Sequence, residues 1–357
     1  VRAGSRVADD ESALALFLRL LQIESPTGDE RQAAVFCASW AERLGLSVEW
    51  EPVAVGDRLS ANLWVGVPGD LARDPVLVCA HLDTRHPGLP ALRRRTDGWL
   101  ESGNGVPLGA DDKAGVAAIL AALTRIVREE RPHPPIRVLL SAGEEVGSAG
   151  VRSSARARVR GWRAIVVDAE SPVGTLVEGG YGRARLRLIY DAQTASHPFT
   201  VWRQLQEAIK HLGPGLSAQL LRFDPTDAGA CAEFSIWCSP DCAWPLAHSR
   251  YQAWAADLVR RTQPRDAESE VLYPSYDVRA SFWLLEVKRR LARSAPGLAL
   301  IRMREGCDAN WLASMGATPV NLGVGYEHAH TRAERVHEQS LAQLTRLLLA
   351  ILTDPRE

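Results

Sequence analysis

The chain has 357 residues, 46% of them apolar, and a formal net charge of −1, so it can bury the core of one large or two ordinary domains. The balanced charge argues against a polyanion-binding surface and against a disordered chain, which leaves nucleic acid out as a partner. No run of about 18 apolar residues occurs and "VRAGSRVADDE" lacks the apolar stretch of a signal peptide, so no membrane association and a cytoplasmic location are expected.

"ALALFLRLLQIESPTGDERQAAVFCASWAERLGLSVEW" predicts a helix, a polar turn at Ser25 to Asp29, a second amphipathic helix and a strand. "NLWVGV", "PVLVCAHLD", "IRVLLSAGEE" and "AIVVDAE" then read as short strands, with the apolar-faced helix "DKAGVAAILAALTRIVREE" between the second and third. Such alternation predicts an α/β fold, a mixed sheet covered by helices. The texture changes near Gly180: "RARLRLIYDA" alternates as a half-exposed strand and "TVWRQLQEAIKHL" follows as a helix. Residues 183–297 are therefore expected to form an inserted α+β unit, with 1–182 and 298–357 forming the main domain. "ANWLASMG", "TPVNLGVG" and "EQSLAQLTRLLLAILTD" return to the first style and close the chain with a helix.

Cys37, Cys79, Cys231, Cys238, Cys242 and Cys307 show no paired CxxC spacing, which fits a reducing compartment and leaves His, Asp and Glu to hold any metal. Lysine occurs only at Lys113, Lys210 and Lys288, and the first of these stands beside two aspartates.

Acidic and imidazole groups gather at four strand ends: "HLD" (His81, Asp83), "GEE" (Glu144, Glu145), "VVDAE" (Asp168, Glu170) and "GVGYEHAH" (His328, His330). "GADDKAG" adds Asp111 and Asp112 at a helix start. Each has a plainer reading by itself. Asp111 or Asp112 is as readily a helix N-cap, Glu144 with Glu145 a solvated loop, and His330 a surface histidine. His81 and Asp83 resist that treatment, because residues i and i+2 of a strand share a face and a carboxylate beside an imidazole recurs around metals. Ligands of open α/β sheets bind outside the carboxyl ends of the strands, where these groups collect. The set supplies enough carboxylate and imidazole for two divalent ions, with a spare carboxylate to act as a base.

"HLDT", "LGADDKAG", "SAGEEVGSAG", "VVDAE" and "HTRAE", in this order, resemble the M20 metallopeptidases, in particular their peptidase T-like branch, and "GCDANWLASMGATPVNLGVGYEHAHTRAE" strengthens the likeness. The resemblance implies a zinc-exopeptidase-like catalytic domain with an inserted lid or dimerisation domain. It implies that His81, Asp111 and Asp168 hold one ion and Asp111, Glu145 and His330 the other, with Asp111 as the bridge and His328 as the rival of His330. Asp83 would orient His81, and Glu144 would be the general base and later the acid. The implied cofactor is a pair of Zn2+ ions, with Co2+ or Mn2+ as substitutes. Substrates would be small peptides, as for an aminopeptidase acting on di- or tripeptides, or N-acyl amino acids. A homodimer through the lid and a cis Asp111–Asp112 peptide are implied as well.

The likeness weakens in the insert. "ASHPFTVWRQLQEAI" keeps His197, the residue whose counterpart in relatives stabilises the oxyanion, but has Phe199 for the usual glycine and Glu207 for the usual asparagine. Where relatives carry a carboxylate-gripping arginine, "EFSIWCSPD" has Trp237 and Cys238, and Arg279 lies too late in the chain to replace it. The competing reading is a non-catalytic scaffold or binding protein that retains metal behind a diverged lid. Glu144 disfavours it, since a purely structural site needs no base.

Overall fold

The computed structural model describes residues 11–191, 198–226, 229–295 and 297–353. His197 lies outside the described residues. Helices α1 (Ala13–Leu20) and α2 (Arg31–Arg43) lead into strands β1 (Ser47–Val55), β2 (Arg58–Val67), β3 (Val76–His81), β4 (Leu92–Arg94) and β5 (Trp99–Ser102). Helix α3 (Ala110–Arg128), β6 (Ile136–Ser141), α4 (Ala149–Ser153), β7 (Arg163–Ala169) and β8 (Thr175–Gly180) follow. Next come β9 (Gly182–Asp191), α5 (Pro198–Ile209), β10 (Leu216–Thr226), β11 (Gly229–Cys238), α6 (Trp244–Thr262), β12 (Asp266–Tyr273) and β13 (Tyr276–Asp277). The chain closes with α7 (Phe282–Leu291), β14 (Ala299–Met303), α8 (Asp308–Ser314), β15 (Thr318–Gly323), β16 (Tyr326–Glu327), β17 (Arg335–His337) and α9 (Glu338–Leu352).

Two compact units result: residues 1–178, 278–301 and 307–357 in the first, and residues 179–277 with 302–306 in the second. The main sheet of the first unit runs β1-β2-β6-β3-β7-β15-β8. Strand β3 is parallel to both β6 and β7, and β15 is parallel to β7, whereas β1, β2 and β8 join antiparallel. The sheet is therefore mixed. All six residues of β3 are buried, as expected for an apolar run covered on both faces. Helix α3, buried from Ala110 through most of its length, packs with α1 and α9. Because β3 and β6 are parallel and in register, His81 stands opposite Ser141 at their shared carboxyl ends, and β7 brings Asp168 to the same edge. Beside this sheet, β16-β17-β5-β4 form a small antiparallel sheet that no sequence pattern announced.

The second unit has a four-stranded antiparallel sheet, β10-β11-β9-β12. Helices α5 and α6 pack on it around Leu186, Leu188, Leu205, Phe234, Tyr251 and Leu258. Residues 278–297, expected in the insert, lie instead with the first unit. The physical reason is α7, whose Trp283 Nε1 donates to Ala164 O at 2.9 Å while Arg290 Nη1 donates to Ile351 O at 2.9 Å. Among the described residues no helix is long and apolar enough to cross a membrane.

Candidate metal centre

The strand ends carrying His81 and Asp168, the turn of Glu145 and the loop of His330 meet around Asp111. His81 Nε2 lies 3.0 Å from Asp111 Oδ1 and 3.6 Å from Asp168 Oδ1. On the other side His330 Nε2 lies 3.0 Å from Asp111 Oδ2 and 2.7 Å from Glu145 Oε1. His81 Nδ1 is 2.9 Å from the Asp83 carbonyl, which makes Nδ1 the donor and turns the Nε2 lone pair toward the carboxylates. A lone pair facing carboxylate oxygens is repulsive unless a proton or a cation stands between them. Glu145 Oε1 and His330 Nε2 are buried without a hydrogen-bond partner despite their separation, so both remain available to a common ion. The donor atoms present therefore fit a pair of divalent cations.

Asp112 separates from Asp111 in role. Its Oδ1 accepts the Gly115 amide at 3.2 Å and its Oδ2 the His81 amide at 3.3 Å, so it caps the turn into α3. The peptide between the two aspartates is cis. Ligand atoms of His81, Asp111 and Glu145 lie within 4.8 Å of one another, as do those of His81, Asp112 and Asp168. Of the two aspartates near His81 and Asp168 we favour Asp111 as the ligand, because both Asp112 oxygens are already taken by backbone N–H groups. His328 is exposed and its amide donates to Glu170 Oε1 at 2.6 Å; it is the imidazole of His330 that reaches Asp111.

Asp83 organises the neighbouring loop. Its Oδ1 accepts the Glu144 amide at 3.0 Å and its Oδ2 accepts both the Glu145 amide at 3.2 Å and Thr27 Oγ1 at 2.9 Å. Glu144 is buried, and Ser148 Oγ donates to its Oε1 at 3.5 Å. Two further acidic residues brace the centre. Glu334 accepts the amides of Gly109 and Asp111, each at 3.0 Å. Glu30 accepts the amides of Gly28 at 2.6 Å and Gly143 at 3.1 Å. Neither was singled out in the sequence, although Glu334 ends the "HTRAE" stretch.

Burial sets the electrostatics. It raises the Glu144 carboxyl well above the ordinary range, with the nearby Asp168 charge adding to the effect, and pushes Asp168 up to about 7. Burial would raise Asp111 too, but the His330 and His81 imidazoles against it outweigh burial and hold it below its ordinary value. His330 rises to about 10 because Asp111 and Glu145 flank it. Among the described residues, the ion-pair partners of Asp83, Asp111 and Asp168 are imidazoles alone. Such an excess of buried negative charge calls for cations.

In the second unit, Trp237 is half-buried with the Arg183 guanidinium 4.7 Å above its ring, and Cys238 Sγ lies 3.2 Å from Ser275 Oγ. Phe199 is exposed and stacks on Trp202 at 5.8 Å, and Glu207 pairs with Lys210 at 2.7 Å. Arg279 is exposed and belongs to the first unit.

A profile of peptidase family M20/M25/M40 matches residues 80–354. Over 374 aligned positions the chain is 26% identical to the protein YqjE of Bacillus subtilis, spanning 98% of this chain and 99% of that one. Among solved structures, aminopeptidase PepT of Bacillus cereus superposes with a TM-score of 0.81 at 24% identity, covering 96% of this chain and 98% of that one. A tripeptidase of Staphylococcus aureus gives 0.80 at 24% identity, covering 96% and 97%. At these identities the structural likeness establishes a shared fold.

Proposed function

The chain belongs to peptidase family M20/M25/M40, and on that premise we propose that it is a dinuclear zinc hydrolase cutting the amide of a di- or tripeptide or of an N-acyl amino acid. Membership makes it a metal-dependent hydrolase. The ligand assignment, the zinc and the substrate are inferred from the site. The observation that carries the reading is the convergence of two imidazoles on one carboxylate, His81 on Asp111 Oδ1 and His330 on Asp111 Oδ2.

In this reading His81, Asp111 and Asp168 would hold one cation and Asp111, Glu145 and His330 the other, with Asp111 shared between them. Mixed imidazole and carboxylate donors suit zinc, and Co2+ or Mn2+ would be tolerated. When bound, such a pair lowers the pKa of a water and polarises a scissile carbonyl. Asp83 fixes the tautomer and orientation of His81 and holds the loop of Glu144 through that residue's amide. Glu144 takes the proton of the attacking water at its carboxylate and returns it to the leaving amine. Its carboxyl is buried and raised above the ordinary range, which favours a group that must hold a proton as well as accept one.

His197 would stabilise the oxyanion, the first unit would be the catalytic domain, and the second unit would serve as lid and as homodimer contact. The exposed Phe199–Trp202 stack on α5 supports that contact. A cytoplasmic location fits the six free cysteines.

The test is a panel of dipeptides, tripeptides and N-acyl amino acids offered to zinc-loaded wild type and Glu144→Gln. Wild type should turn over at least one class, and the variant should lose about 10²- to 10⁴-fold in kcat while keeping its metal. Hydrolysis that survives the substitution would remove Glu144 from its role, and a metal-loaded wild type that cuts nothing would favour a binding protein.

A further inference from the structure

Cys238 closes β11, and Cys242 follows after a turn in which its amide donates to Ser239 O at 3.0 Å. The turn brings both side chains to one spot of the second unit. Cys238 Sγ lies 4.0 Å from Cys242 O and 3.2 Å from Ser275 Oγ, which donates to that same carbonyl at 3.3 Å. Two glycines make the room. A Cβ on Gly215 would stand 3.1 Å from Cys242 Sγ, and one on Gly182 would stand 3.1 Å from Cys238 Cβ. Burial pushes the Cys238 thiol up to about 11, and the Cys242 thiol beside it adds to the rise. Both cysteines are free.

The two differ in access. Cys238 is buried, whereas Cys242 is half-buried, and Arg250 Nη1, which donates to Pro214 O at 2.7 Å, also stands 3.7 Å from its sulfur. A cation beside a reachable sulfur stabilises the charge that the sulfur carries when it attacks. Cys37, Cys79 and Cys307 are buried and belong to the packing. Cys231 is half-buried beside Arg187 but sits toward the opposite end of β11 from Cys238. It shares the access and the cation, and lacks the partner thiol.

We propose that Cys238 and Cys242 are a redox-active thiol pair that a hydroperoxide converts into an intramolecular disulfide. The Cys242 sulfur attacks an oxygen of the peroxide and breaks the O–O bond. With hydrogen peroxide this gives a sulfenic acid on Cys242 and one water. The Cys238 sulfur then attacks the Cys242 sulfur: the S–S bond forms, the S–O bond breaks, and the departing hydroxide takes the Cys238 proton as a second water. Two thiols lose two electrons and two protons, and the peroxide gains them. A dithiol reductant reverses the step. This inference stands apart from the hydrolase reading.

The experiment treats the reduced full chain with hydrogen peroxide, alkylates the remaining thiols in denaturant and digests with trypsin. The tryptic peptide 223–250 carries Cys231, Cys238 and Cys242, so one fragment reads the pair and its control. Untreated chain should carry an alkyl group on each of the three. Treated chain should keep only that on Cys231, with the peptide two hydrogens lighter, and dithiothreitol should restore the others. Cys238 and Cys242 should be lost together, at least about tenfold faster than Cys231. In Cys238→Ser, shown to be folded by circular dichroism, dimedone should label Cys242. Cys231→Ser should form the disulfide as wild type does. Alkyl groups retained on Cys238 and Cys242 after peroxide, loss no faster than at Cys231, or sulfinic acid at Cys242 in place of the disulfide would overturn the inference.

Discussion

Asp83 Oδ1 accepts the backbone N–H of Glu144 at 3.0 Å, so the residue two places after His81 also fixes the loop of the proposed base. Asp83→Ala removes the acceptor for two loop amides and the carboxylate 3.4 Å from His81 Nδ1, while the backbone carbonyl beside that nitrogen stays. Both kcat and metal affinity should fall about 10- to 100-fold. Steady-state kinetics beside a calorimetric metal titration checks this, and an unchanged metal affinity would show that the Asp83 carboxylate does not position His81.

Gly115 is where α3 closes on the sheet next to Asp168. A Cβ built there meets the Val167 carbonyl oxygen at 2.5 Å and also collides with the Asp112 carboxylate. Neither neighbour is the free end of a flexible side chain, so Gly115→Ala should cost about 1–3 kcal/mol by overpacking and weaken metal binding through the displaced turn. Denaturant unfolding reads the first effect and elemental analysis the second. A variant as stable as wild type would mean that the helix can slide.

Burial depresses Lys113 to about 8 from its ordinary 10.5. Between those values the unfolded chain binds a proton that the folded chain has released, so stability from this residue rises with pH through that window. Lys113→Met has no such proton. The stability of wild type relative to the variant should therefore grow by roughly 2 kcal/mol from pH 8 to pH 10. Urea unfolding at both pH values measures it, and a difference that stays flat would place the Lys113 ammonium in water.

The strands and the residues at their ends were legible in the sequence because both rest on local pattern. The apolar run ending in His81 and Asp83, and the Asp111–Asp112 pair before α3, each sit within a few residues of one another. What one aspartate does and the other does not is implied by the family resemblance and not by local pattern. Asp112 turns to the Gly115 amide while Asp111 faces two histidines, and that division is decided by backbone direction. Glu30 and Glu334 escaped notice because they accept amides from Gly143, Gly109 and Asp111, far away in the chain. No periodicity encodes such pairings. The sequence places the segment around α7 in the insert for a related reason: an amphipathic helix shows that it has an apolar face but not what covers it, here through Trp283 and Ala164.

The account's central claim is that side chains from His81 to His330 share one pair of cations through Asp111. Inductively coupled plasma analysis of wild type and Asp111→Asn after dialysis against trace zinc tests it most directly, with circular dichroism confirming that both are folded. The account predicts about two zinc ions per chain in wild type and the loss of both from the variant. One ion or none in wild type, or two retained by Asp111→Asn, would contradict it.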